Sequence, residues 1–143
     1  MRILGIDPGI GITGYSIIEA NKEGYELINS GSIQTDKSMP TSKRLVEIFD
    51  DMTEICKCYK PDEAAIEQLF FFKNQKTIIP VAEARGVILA VLEKEGIKTA
   101  EYTPLVIKQV LTGHGRADKS EVRSMVERFI ELNKNPKLDD TVD

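Results

Sequence analysis

The chain has 143 residues, 41% hydrophobic and 29% charged, with a formal net charge of −4. That is enough chain for one domain with a real core. The absence of any apolar run near membrane-span length, or of an apolar signal segment, makes the sequence read as a soluble, cytoplasmic protein. The acidic balance argues against holding nucleic acid through overall charge, so any DNA contact has to come from a local basic patch.

Residues 2–7, 13–20 and 25–34 read as three successive strands, with Gly9, Gly11 and the stretch from Asn21 to Gly24 supplying the turns. Pro40 and Ser42 precede a helix over about 42–59. Leu45, Ile48, Phe49, Met52, Ile55, Cys56 and Tyr59 recur on it at helical spacing and form its buried stripe. Pro61 ends that region, and Ala64, Ala65 and Ile66 make a fourth strand that presents Glu67. A second helix runs from the high seventies to about 95. Its inward residues are Val81, Ala84, Ile88, Val91 and Leu92, Pro80 lies in its first turn or kinks it, and Gly96 caps it. Lys98 to Tyr102 is the fifth strand. Pro104 starts a short helix, the loop GHGRAD follows, and Lys119 opens a helix to about 132. The order β-β-β-α-β-α-β-α-α predicts a single α/β domain over 1–143: a mixed five-stranded sheet with helices on its faces.

Asp7 closes the first strand in the run RILGIDPGIGITGYSII. A carboxylate at the end of a buried strand is costly unless backbone N–H groups in a turn or a cation stabilise it. Thr13 and Gly14 shape the turn that follows. Glu67 ends another apolar strand, and if the two strands are neighbours the acids meet at the crevice where such sheets bind ligands. Asp139, Asp140 and Asp143 gather near the C-terminus, and the D-x-x-D spacing of the last pair places both on one helical face. Oxygen donors of this kind suit magnesium or manganese, and two such ions about 4 Å apart can activate water and stabilise a leaving oxygen. A lone D-x-x-D is more often a solvated face; the signal is three separated acidic stations. Cys56 and Cys58, spaced C-x-C without a His or Cys cluster, read as reduced thiols on a helix and not as a zinc site.

GIDPGIGITGYSII, AIEQLFFFKN, EARGVI, IKQVLTGHGRADKSEV and NPKLDDTVD, in this order, resemble the RuvC family of Holliday junction resolvases across essentially the whole chain. G-I-D-P-G alone is weak, because actin-like ATPases and sugar kinases carry related turns. A-I-E-Q-x-F-x-x-K-N combined with E-A-R-G is specific. The resemblance implies a ribonuclease H-like fold and a homodimer. It implies symmetric cutting of two strands of a four-way DNA junction with Mg²⁺ or Mn²⁺, two per active site, leaving 5′-phosphate and 3′-hydroxyl ends. It also implies a branch-migration helicase complex as partner, and no membrane.

By the same matching, Asp7, Glu67, Asp140 and Asp143 are the metal ligands, and Asp140 is preferred to Asp139 by the family's spacing. Phe70 is the aromatic that stacks near the branch point; Phe71 and Phe72 beside it have core packing as the alternative for all three. Lys119 stabilises charge on the scissile phosphate, and Lys108 positions the backbone. Lys73, Asn74, Arg85 and Arg116 are weaker phosphate contacts, and Arg85 is alternatively structural. The second helix belongs to the dimer interface in this family. His114, in a Gly-flanked loop, reads as a surface residue and not a general base. Family members continue beyond residue 143 with more of the last helix. The competing readings are a junction-binding module that does not cut, another ribonuclease H-like nuclease acting on RNA, and, remotely, an actin-like ATPase.

Overall fold

The first three extended stretches of the chain, separated by short turns, form an antiparallel meander. In the computed structural model, which describes residues 1–69 and 75–131, these are β1 (Arg2–Asp7), β2 (Ile12–Asn21) and β3 (Gly24–Gln34). The β2–β3 turn is held by the Asn21 side-chain oxygen, which accepts from the backbone N–H groups of Glu23 and Gly24 at 2.8 and 3.1 Å. Gly24 has φ +140°, a value that favours glycine.

The chain then alternates helix and strand: α1 (Thr41–Tyr59), β4 (Glu63–Glu67), α2 (Gln75–Lys94) and β5 (Lys98–Tyr102), followed by α3 (Pro104–Thr112) and α4 (Lys119–Phe129). β4 pairs parallel with β1, and β5 pairs parallel with β4. The sheet order is β5-β4-β1-β2-β3-β6. The five expected strands are all present. The sixth is a two-residue segment, β6 (Ile130–Glu131), which pairs parallel with Tyr25 and Glu26 at the edge. It stops α4 at Phe129, short of the expected residue 132. Pro80 is the sixth residue of α2 and so lies past the first turn.

Helix ends follow local chemistry. Thr103 caps α3, its hydroxyl accepting from the Val106 N–H, with Pro104 at the first helical position where no donor is lost. Asp118 and Glu121 form a reciprocal capping box on α4. Gly96, at φ +71°, ends the α2 region in the left-handed conformation.

One face of the sheet meets α1 and α2. Leu4, Ile17 and Ile66 from the strands are fully buried against Ile48 and Met52 of α1 and Ile88, Val91 and Leu92 of α2. The predicted stripe of α1 is buried as read, with Leu45, Phe49 and Tyr59 at its margin. Side chains alternate along a strand, so Gly5 and Asp7 project to the other face, where α3 packs.

Candidate active site

Asp7 and Glu67 are the last residues of β1 and β4. The parallel register pairs Ile3 with Glu63 and continues to Ile6 with Ile66. The two acids are the next residues on each strand, so they stand side by side at the same, C-terminal, ends of adjacent strands. Both line a cavity of about 460 Å³ on the α3 face. Gly14, Ser16 and Ile18 of β2, Tyr102 of β5, and Val106, Ile107, Val110 and Leu111 of α3 complete most of its wall. Among described residues the wall is mostly apolar and contains neither His nor Cys.

The turn after Asp7 is fixed from inside. Thr13 is fully buried, and its hydroxyl donates to the Gly9 carbonyl at 2.7 Å and accepts from the Gly9 N–H at 3.3 Å. A Cβ on Gly9 would stand 2.3 Å from the Ile12 carbonyl oxygen, closer than any side-chain carbon tolerates. A second tether comes from α1. Arg44 Nε donates to the Thr35 hydroxyl at 2.9 Å, that hydroxyl donates to the Ile10 carbonyl, and the Thr35 N–H donates to Gly11 O at 3.0 Å. Glu67 is held from its neighbour strand, since the Gln68 N–H donates to Tyr102 O at 2.8 Å.

Of the residues read from sequence as site residues, Asp7 and Glu67 are thus brought together. Lys108 on α3, Arg116 in the α3–α4 loop and Lys119 at the start of α4 stand outside the cavity lining, with Lys108 half-buried and the other two exposed. Phe70, Lys73, Asn74, Asp140 and Asp143, with Phe71, Phe72 and Asp139, lie outside the described residues. Among the described residues, no group of three or more His, Cys, Asp or Glu converges as a metal site. His114 is half exposed and 3.7 Å from the Glu121 carboxylate, a surface contact. Arg85 is turned inward, its side chain 16% exposed and ion-paired with Glu101, which fits the structural alternative read for it. Tyr102 and the α3 apolar residues carry no sequence signal for the site. Their membership of the wall depends on where α3 docks, which no local pattern reveals.

The sheet order, with acids at the ends of its two central parallel strands, defines a ribonuclease H-like α/β protein. The family model described as "Crossover junction endodeoxyribonuclease RuvC" matches residues 3–143. The crossover junction endodeoxyribonuclease RuvC of Petrotoga mobilis is 48% identical over 143 residues, covering 100% of this chain and 88% of that protein. That of Fusobacterium nucleatum is 46% identical over 143 residues, covering 100% of this chain and 75% of its own length. The solved structure of Thermus thermophilus RuvC in complex with a Holliday junction substrate superposes with a TM-score of 0.90 at 28% identity, covering 100% of this chain and 87% of that one. The chain belongs to the RuvC family of crossover junction endodeoxyribonucleases. No helix among the described residues is long and apolar enough to cross a membrane.

Proposed function

We propose that this protein resolves Holliday junctions by metal-dependent, paired hydrolysis of phosphodiester bonds, acting as a cytoplasmic homodimer in DNA recombination and repair. The observation that carries the reading is the placement of Asp7 and Glu67 on neighbouring strand ends at one cavity. Family membership and the junction-bound Thermus thermophilus relative support the substrate.

The donor set fits a hard dication. Two carboxylates from adjacent strands, with no imidazole or thiolate in the described wall, suit Mg²⁺ or Mn²⁺ better than zinc. Asp140 and Asp143 are the proposed further ligands of a two-ion site. Such ions, when bound, supply activation of water and charge stabilisation at the leaving oxygen.

The chain's own residues have separate roles. Asp7 and Glu67 hold their carboxylates on one face, and the Thr13 and Arg44 tethers keep the Asp7 turn from shifting. Lys119 offsets charge on the scissile phosphate. Lys108, Lys73, Asn74 and Arg116 position the DNA backbone, and Phe70 stacks on a base near the branch point. A homodimer gives two such sites, matching the two-fold symmetry of a junction, and a branch-migration helicase supplies the substrate.

The test compares wild type, Asp7→Asn and Glu67→Gln on a four-way DNA junction in Mg²⁺ and in Mn²⁺, with single-stranded and duplex RNA as controls. Paired nicking of the junction by wild type alone is expected. Equal cutting by all three proteins, or a preference for RNA, overturns the reading.

A further inference from the structure

Behind Glu67, on the opposite face of the sheet from its carboxylate, Arg85 reaches from α2 to the end of β4. Its Nε donates to the backbone carbonyl of Glu67 at 3.3 Å. Its Nη2 lies 2.7 Å from the Glu101 carboxylate on β5, off the angle of a hydrogen bond, so this contact is an ion pair held by charge. The Gln68 side-chain amide donates to the same Glu101 oxygen at 3.4 Å. Ile66 is buried in the core and registers with Glu101, which puts Glu101 on the α2 side of the sheet. The end of β4 is therefore tied to both α2 and β5, and the Arg85 side chain is only 16% exposed.

We infer that Arg85, with Glu101, is a positioning residue for Glu67: a clamp on the peptide that carries the carboxylate, which never touches substrate. Glu67 is the last residue of its strand, and the Arg85 bond ties its carbonyl to α2. Strand ends open more readily than strand centres, so a side chain that bonds the terminal peptide restrains it. An arginine suits the role because its planar fork engages a carbonyl and a carboxylate at once and stays charged. The guanidinium is 16% exposed, which limits competition from water at its own end, while the Glu101 carboxylate is 40% exposed. The inference rests on the reading of Glu67 as a metal-holding carboxylate.

The experiment compares wild type, Arg85→Met, Arg85→Lys, Glu101→Gln and Glu67→Gln in four measurements. These are melting temperature, junction binding in EDTA by gel shift, Mn²⁺ affinity by electron paramagnetic resonance without DNA, and single-turnover cutting at saturating protein. Small displacements of a catalytic group cost up to about 100-fold, so Arg85→Met and Glu101→Gln are expected to cut roughly 10- to 100-fold more slowly. They should bind junction as wild type does and hold Mn²⁺ more weakly, with Arg85→Lys recovering part of both losses. Glu101→Gln preserves shape, and it carries the test if Arg85→Met fails to fold. Unchanged Mn²⁺ affinity and cutting in Glu101→Gln overturn the clamp. So does weaker junction binding with normal cutting at saturation, which marks Arg85 as a phosphate contact. Equal cutting by wild type and Glu67→Gln overturns the carboxylate reading and the clamp with it. Cutting that needs Glu67 but ignores Arg85 and Glu101 overturns the clamp alone.

Discussion

Asp7 and Glu67 each stand one residue past the Ile6–Ile66 pair on neighbouring parallel strands, so about sixty residues of intervening chain are folded away to set two carboxylates side by side. Hydrogen-bonded strands run about 4.8 Å apart, close enough for two carboxylates to share one cation. Each substitution that neutralises one of them is expected to lower single-turnover junction cutting by at least about 100-fold. The double substitution should be little worse than either single, because residues acting as a unit are not additive. Gel shift in EDTA should show junction binding intact in all three.

A cation that binds the folded protein and not the unfolded chain raises the melting temperature by mass action. Mg²⁺ is therefore expected to raise the melting point of wild type, and to leave that of the Asp7→Asn, Glu67→Gln double variant unmoved. A calorimetric scan with and without Mg²⁺ checks this without any DNA. An equal rise in both proteins would place the cation elsewhere.

The turn after Asp7 has two separable supports. Gly9 is needed for space, because an added Cβ would meet the fixed Ile12 carbonyl at 2.3 Å. Gly9→Ala is expected to cost about 1–3 kcal/mol as an overpacked site. Thr13→Val keeps the volume but strips the partner from both backbone groups of Gly9, and such a loss costs about 1–3 kcal/mol. Urea unfolding reads both, and both variants should also cut more slowly, since the turn carries Asp7.

These two supports also show how far the sequence reaches. Gly9 and Thr13 lie within six residues of Asp7, so their part in the turn is local and can be read from the run itself. The α1 stripe and the five longer strands are legible for the same reason, since period and turn chemistry are local. β6 is not. Two residues, Ile130 and Glu131, carry no periodicity, and they pair only because β3 leaves an open edge beside them. Arg44 and Thr35 escape a sequence reading because their bonds to the Asp7 turn cross from α1 and from the end of β3. Asp7 and Glu67 can be named as candidates from strand ends, but their adjacency needs the β1–β4 pairing. For Arg85 the sequence leaves a phosphate contact and a structural role both open, because an arginine on a helix looks the same in sequence whether it faces water or a neighbouring strand end.

Cys56 and Cys58 sit two residues apart on α1 yet face different surroundings. Cys56 is buried and Cys58 exposed. Burial, with the Glu95 carboxylate nearby, pushes the Cys56 thiol from 9.0 up to about 11. The reactive species is the thiolate, so at pH 8 Cys56 is both shielded and protonated. Iodoacetamide at pH 8 is expected to modify Cys58 within minutes and to spare Cys56 until the protein is unfolded in urea, as peptide mass spectrometry would resolve. The sign of the pH effect on folding follows from the same shift. Below pH 9 the thiol is neutral in both states and contributes nothing adverse. As the pH rises from 9 toward 11, the unfolded chain ionises Cys56 while the folded chain resists, so stability falls across that window. Cys56→Ala should flatten part of the fall; the Tyr15 hydroxyl, whose pKa is raised by burial and then by Tyr59 and Cys58, also contributes to it. Parallel curves for wild type and Cys56→Ala would show that Cys56 is not the group responsible.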